Sequence, residues 1–234
     1  MLFNDTIFLL WFLPVVLLLY GCFPAKRTPI LLAANYVFYG WWNVWFCLLM
    51  LTSTTVDYLA GKYIFQSQND ARRKILLLCS LCINLSLLGF FKYFGLLSET
   101  INALASAAWL PTWNIVLPVG ISFYTFQSMS YSIDMYRKKI TPAQNFFDFA
   151  CYVSLFPQLV AGPIIRYKEL ADQLIARTHT SDKFARGLQR FIIGLSKKIL
   201  IADTCGLIAD NAFAMQDIGT GAAWIGILAY AFQI

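Results

Sequence analysis

The chain has 234 residues, 59% of them hydrophobic, and its 13% charged share is about half that of an ordinary soluble domain. Its mean hydropathy of +0.62 points the same way. A soluble globular domain is excluded, and an all-α polytopic membrane protein is implied. The formal net charge of +6 is carried by Lys and Arg between apolar runs, where it sets topology. It implies a lipid bilayer as the partner and no nucleic acid.

The first apolar run covers residues 6–23 and carries no basic residue ahead of it. A secretory signal would place Lys or Arg there, so the run is expected to be a retained span. Lys26 and Arg27 follow it, which puts them in the cytoplasm and the N-terminus outside. The next basic cluster is Arg72-Arg73-Lys74. If it is also cytoplasmic, residues 28–65 cross an even number of times. Two short spans, hinged at Trp41-Trp42-Asn43-Val44-Trp45, satisfy that parity, with the tryptophans at the interface.

Residues 75–91 then run outward, with Lys92 snorkelling at their end. Residues 99–114, with Trp109 and Trp113 around Pro111, are expected to be an external loop. Residues 115–133 contain no charge and are expected to return inward, to Arg137-Lys138-Lys139. This gives about five to seven transmembrane or re-entrant helices. The chain is read as a single membrane domain over residues 1–234.

Residues 152–167 are apolar but poorly suited to a simple span. Pro157 and then Gly162-Pro163 interrupt the helical pattern, with Gln158 beside the first break and Arg166 just past the second. Basic residues flank both ends, so the stretch is read as a re-entrant loop open to the cytoplasm. A kinked span is the alternative. A polar segment follows, with Ser181 as the expected N-cap. Leu188, Phe191, Ile192, Leu195, Ile199 and Ala202 then recur on one helical face, with Arg186, Arg190, Lys197 and Lys198 largely off it. This is the pattern of an amphipathic helix on the inner leaflet. A last apolar segment begins near Gly221.

Little here suits catalysis directly. The one histidine, His179, lies in the polar segment and reads as a solvated loop residue. Cysteines 22, 47, 79, 82, 151 and 205 include a single CxxC at Cys79 and Cys82, with no second pair and no nearby histidine. They read as small helix residues, not as metal ligands. Asp57 and Asp148 lie in or near apolar runs, as functional carboxylates or as water-facing span ends. Ser122, Tyr124, Thr125 and Gln127, continued by Ser128, Ser130 and Ser132, form an uncharged polar ladder. Facing lipid would be costly, so the ladder must face other helices or a cavity.

Three blocks carry a resemblance: Leu117-Pro-Val-Gly-Ile-Ser-Phe-Tyr-Thr-Phe-Gln127, Ser130-Tyr-Ser-Ile-Asp-Met-Tyr-Arg137, and Phe156-Pro-Gln-Leu-Val-Ala-Gly-Pro-Ile-Ile-Arg-Tyr167. In this order they resemble the membrane-bound O-acyltransferase family, in its bacterial, alginate O-acetyltransferase-like branch. The opening Met1-Leu-Phe-Asn, the segment at Gly89-Phe-Phe-Lys-Tyr-Phe94 and that at Gly194-Leu-Ser-Lys-Lys-Ile-Leu-Ile-Ala-Asp203 fit the same branch. The resemblance implies an enzyme of the bacterial cytoplasmic (inner) membrane. It would move an acetyl group from acetyl-CoA or another acyl thioester to a hydroxyl of a cell-envelope polysaccharide. The acceptor could instead be an extracytoplasmic relay partner or glycan-modifying protein, and no bound cofactor is implied.

The resemblance also implies a histidine, usually after a Trp, as the base that activates the hydroxyl. No Trp-His pair occurs in these residues. The chain is therefore expected to be an N-terminal portion, without a catalytic residue of its own and inactive alone. Ser122, Tyr124 and Gln127 are expected to line the acyl path, and Gln158, Gly162, Pro163 and Arg166 to shape the re-entrant floor. Arg166 could alternatively meet an anionic donor. A transporter or channel-type module with a re-entrant loop, or a non-catalytic assembly subunit, is the competing reading.

Overall fold

The computed structural model describes residues 3–105, 109–159, 162–215 and 219–234, which form helices and no strand. The chain divides into two compact units.

The larger unit covers residues 14–177. Helix α1 (Leu13–Cys22) follows a π-helical turn, Phe8–Phe12, that begins in the other unit. At Phe23 the chain bends by 115° into a short 3-10 turn and helix α2 (Arg27–Gly40). The hinge at the tryptophans is where the sequence puts it. Asn43 caps helix α3 (Val44–Gln66), its Oδ1 accepting from the Trp45 N–H at 2.9 Å. At 23 residues α3 is not a short span: it is long enough to cross a bilayer.

Asn69 then accepts from the N–H groups of Ala71 and Arg72 and starts helix α4 (Asp70–Ala105). This helix has 36 residues, about 54 Å at the usual rise, and runs well past the expected end at residue 91. With α3 it is one of two described helices that are long and apolar enough to span, and the bent Phe8–Gly40 pair would make a third.

The expected helix over residues 115–133 forms only in its second part, as α5 (Ile121–Tyr136). Residues 109–120 are non-helical, and α4 holds part of them. Asn102 pairs with both backbone groups of Leu110, at 2.8 and 2.9 Å, and Ser98 donates to the Pro111 carbonyl. Trp113 stacks on Phe94 with centroids 5.2 Å apart. Pro111 and Pro118 cannot donate to a helix, and Gly120 ends the stretch in the left-handed region, at φ +74°.

Helix α6 (Phe146–Ser154) is capped by Asn145, whose amide also donates to Asp148. Asp148 is thereby absorbed into the cap. The short α7 (Phe156–Leu159) and α8 (Tyr167–Ile175) follow. Helices α2 to α6 pack together around an aromatic core. Tyr131, Phe149, Tyr152 and Tyr167 make ring contacts of 4.4 to 6.2 Å that join α5, α6 and α8. Gly61 lets α3 approach α5, since a Cβ there would lie 2.4 Å from the Tyr131 ring.

The smaller unit comprises residues 3–13 and 178–234. Helix α9 (Ser181–Lys197) passes through a π-helical turn, Lys198–Ala202, into α10 (Asp203–Ala214). Its N-cap is Thr180, not Ser181: the Thr180 hydroxyl accepts from the Lys183 N–H at 3.2 Å. No residue of α9 is buried, so its apolar face is exposed as an amphipathic helix requires. Helix α11 (Thr220–Gln233) packs on α10, Gly226 meeting Ala212 where a Cβ would come within 2.8 Å.

Candidate functional site

Residues 152–167 are broken, as the two prolines and the glycine require, but not at Pro157. The helix ends at Leu155, whose ψ of 106° leaves the helical region. Pro157 occupies the second position of α7, where a missing N–H costs little. The carbonyls freed at the end of α6 are then claimed one by one. Within the last turn the Ser154 hydroxyl bonds back to the Ala150 carbonyl at 2.6 Å. Cys151 accepts from the Asn35 amide at 3.4 Å. Tyr152 accepts from two amides, Gln127 Nε2 at 2.9 Å and Gln158 Nε2 at 3.0 Å.

Asn35 works on both sides of the break. Its Nδ2 also donates to the Ser154 hydroxyl at 3.2 Å, and its Oδ1 accepts from the Phe156 N–H at 3.1 Å. In an unbroken helix that N–H would serve the Tyr152 carbonyl. The break is therefore a built feature, in which the Cys151 and Tyr152 carbonyls and the Phe156 N–H have side-chain partners and the Gln158 and Leu159 N–H groups turn to the Leu155 carbonyl. Gly162 closes it, because a Cβ there would lie 2.5 Å from the Gln158 backbone. The Tyr152 hydroxyl ties down the far limb through the Ile165 carbonyl at 2.8 Å. Replacing Asn35, itself 0% exposed, by Ala removes the acceptor of the Phe156 N–H and the donor to the Cys151 carbonyl and should cost about 2 kcal/mol. Thermal unfolding of the purified chain in detergent measures this, and an unchanged midpoint would remove Asn35 from its bracing role.

Gln127 and Gln158 are thus brought together on the Tyr152 carbonyl, and Gly162 packs against the backbone of Gln158. Tyr124 lies one turn before Gln127, 1% exposed and edge-on to Tyr39 of α2 with centroids 6.3 Å apart. The hydroxyls of Tyr36, Tyr39 and Tyr124 and the Oε1 of Gln158 are buried, and among the described residues they have no hydrogen-bond partner in ordinary geometry, the Tyr39 and Tyr124 hydroxyls facing each other. Ser122 stands apart, 3.5 Å from Lys92 Nζ. Pro163 and Arg166 are exposed, and Arg166 makes no ion pair among the described residues, its carbonyl accepting from the Glu169 N–H at 3.0 Å. Of the polar ladder, Ser128 and Ser130 reach the carbonyls of Thr125 and Gln127 on their own helix, and the Ser128 hydroxyl also lies beside the Asp57 carboxylate.

Ser132 leads to a second cluster. Asp57 is 0% exposed in α3. Its Oδ1 accepts from the hydroxyls of Ser80 and of Ser132, the latter at 3.0 Å, and its Oδ2 from Asn84 Nδ2 at 2.9 Å. Asn84 Oδ1 in turn accepts from Ser53 at 2.5 Å. Three helices meet on one carboxylate. Asn35, Asn84, Ser53 and Ser80 carried no functional reading in the sequence. Asn35, Ser80 and Asn84 each stand as a polar residue in an apolar run, which is the available signal, whereas Ser53 lies among Thr52, Thr54 and Thr55. His179 is exposed between α8 and α9.

Residues 41–225 match the membrane-bound O-acyltransferase family. A Pseudomonas aeruginosa protein named "Probable alginate O-acetylase AlgI" is 45% identical over 241 residues, covering 100% of this chain and 46% of its own length. A protein of the same name from Azotobacter vinelandii is 42% identical, with 48% of its length covered. A Helicobacter pylori peptidoglycan O-acetyltransferase is 32% identical over 268 residues, with 51% covered. The chain spans about half the length of the curated relatives it matches. No solved structure matches.

Proposed function

Because the chain belongs to the membrane-bound O-acyltransferase family, we propose that it forms the N-terminal half of an enzyme that O-acetylates a cell-envelope polysaccharide. The donor is an acyl thioester such as acetyl-CoA on the cytoplasmic side. The acceptor is a glycan hydroxyl, or a relay protein that carries the acetyl group onward. The enzyme sits in the bacterial inner membrane with its N-terminus outside, and α9 lies on the inner leaflet. The observation that carries this reading is the 45% identity to the Pseudomonas aeruginosa protein along 100% of the chain.

On this reading the 234 residues supply a wall and not the chemistry. The histidine base belongs to the other half. The broken segment gives a reason for a wall here. A continuous helix turns its carbonyls into its own ladder, whereas the break at Leu155 exchanges them for amide and hydroxyl side chains. Tyr124, Gln127 and Gln158 then present polar groups inside an apolar bundle, where a thioester carbonyl or a hydroxyl can be held away from water. Gly162 permits the tight return, and Pro163 and Arg166 lie on its exposed side.

A chimera tests the reading. The 234 residues replace the matching half of the Pseudomonas aeruginosa relative, and acetyl transfer to alginate is measured in cells lacking the native gene. Acetylation above the empty-vector level is expected from the chimera, and none from the 234 residues alone. Gln158→Ala should lower acetylation about tenfold at equal membrane abundance. A chimera that inserts and accumulates but never acetylates overturns the proposal, as does transfer by the 234 residues alone.

A further inference from the structure

At one end of the larger unit the α3–α4 turn, the end of α5 and the start of α8 enclose a cleft of about 720 Å³. Arg73, Lys138, Lys139 and Lys168 line it, against one carboxylate, Asp172. Arg73 is a fixed charge. Its Nη2 donates to the Tyr136 carbonyl at 2.6 Å and its Nη1 to Asp70 at 3.3 Å, and its guanidinium lies 5.4 Å over the Tyr136 ring. It is 5% exposed.

The three lysines are exposed and have no ion-pair partner among the described residues. Lys138 holds φ +57°, the only non-glycine residue described with a positive φ. This backbone state favours glycine, and here it carries a cation to the rim of the cleft. Lysines that only set topology need not surround a concave space. Lysines that self-repel around one are stabilised by an anion within it.

We propose that this cleft is a phosphate-binding site. The shared chemistry is a phosphomonoester or diphosphate held by Lys138, Lys139 and Lys168 over the fixed charge of Arg73. It is supplied either by a water-soluble phosphoester or by the headgroup of an anionic lipid. Tyr167, which also lines the cleft, adds no charge, and Asp172 orients the group by repulsion. The site stands apart from the break at Leu155 and from the acyl-transfer reading, so its test is independent of that reading.

Two probes separate the sources. Calorimetry with inorganic pyrophosphate is run on the purified chain in neutral detergent. Native mass spectrometry then counts phosphatidylglycerol retained after release from vesicles that also contain phosphatidylcholine. The variant is K138G/K139Q/K168Q. Glycine at 138 suits the positive φ, so the fold is retained while the charge is lost. The control is K183Q/R186Q on α9.

Pyrophosphate binding that falls about tenfold in the triple variant, weakens with added salt and is unchanged in the control assigns the soluble source. Retention of phosphatidylglycerol by the wild-type chain, lost in the triple variant without pyrophosphate binding, assigns the headgroup. Equal behaviour of wild type and triple variant toward both probes overturns the proposal.

Discussion

Replacing Gly120 by Ala should lower the stability of the purified chain by about 3 kcal/mol, the sum of two independent penalties. The first is conformational. Gly120 holds φ +74°, where any Cβ meets the following backbone. The second is steric. The added Cβ would lie 2.5 Å from the Leu159 carbonyl oxygen and 3.5 Å from its carbonyl carbon. A side-chain neighbour could rotate away, but this neighbour is the backbone of α7. Relief therefore requires α7 to lift from the start of α5, and α7 is the element that carries Gln158.

The effect should be visible as a lower unfolding midpoint in detergent and as faster proteolysis between residues 155 and 166. Gly89→Ala is the matched control. Gly89 lies in α4 with nothing within 4 Å of its would-be Cβ. There the same change adds helix propensity and should raise the midpoint slightly. If the two substitutions shift the midpoint alike, the close approach of Gly120 to Leu159 is not a determinant of this fold.

Gly120 also shows what the sequence could and could not say. The glycine sits inside one of the three family-like blocks, yet a helix was expected straight through it. Local hydropathy favoured that helix, because residues 115–133 are uncharged. It was overridden by tertiary pairing, in which Asn102 and Ser98 hold the chain near Pro111 in a non-helical state. The length of α4 was missed for a different reason. Charges at Lys92 and Glu99 read as an end, but a helix leaving the apolar layer keeps its backbone bonds in water at little cost. Features fixed by nearby residues were legible, including the Asn43 turn, the α9 face and the need for a break after residue 152. Features fixed by distant partners were not. Asn35 meets Ser154 across 119 residues, and Ser132 meets Asp57 across 75.

The two polar clusters divide the labour in the larger unit. One replaces backbone hydrogen bonds where a helix is interrupted, and of its glutamines Gln127 belongs to the polar ladder and Gln158 to the broken stretch, both expected from the sequence as path residues. The other joins three uninterrupted helices, and it centres on a carboxylate whose sequence context left two readings open. Burial at 0% exposure removes the water-facing reading of Asp57. What remains is a choice between a carboxylate needed as an acceptor and a carboxylate needed for its charge.

Asp57→Ala and Asp57→Asn should separate these, with a large loss for the first and a small one for the second. Alanine removes the acceptor for two hydroxyls and one amide at the meeting point of α3, α4 and α5. Part of that loss is recovered locally. Ser80 already lies 3.2 Å from the Ser132 oxygen, and Asn84 already donates to the Ser80 carbonyl at 3.0 Å. The Ser132 hydroxyl is left without an acceptor and a void opens, so the net cost should be about 3 kcal/mol. Asparagine keeps an oxygen for Ser80 and Ser132. Its amide meets Asn84 Oδ1 once Asn84 turns over, and Asn84 Nδ2 then donates to the Ser53 hydroxyl oxygen. The turn-over takes Asn84 Oδ1 away from the Ser53 hydroxyl proton and Nδ2 away from the Ser80 carbonyl, but both hydroxyls on residue 57 keep their acceptor and no void opens, so the cost should be about 1 kcal/mol, well below that of alanine. Unfolding midpoints of both variants in detergent give the comparison. If Asp57→Asn loses as much as Asp57→Ala, the charge itself is required and the hydrogen-bond account of this cluster fails.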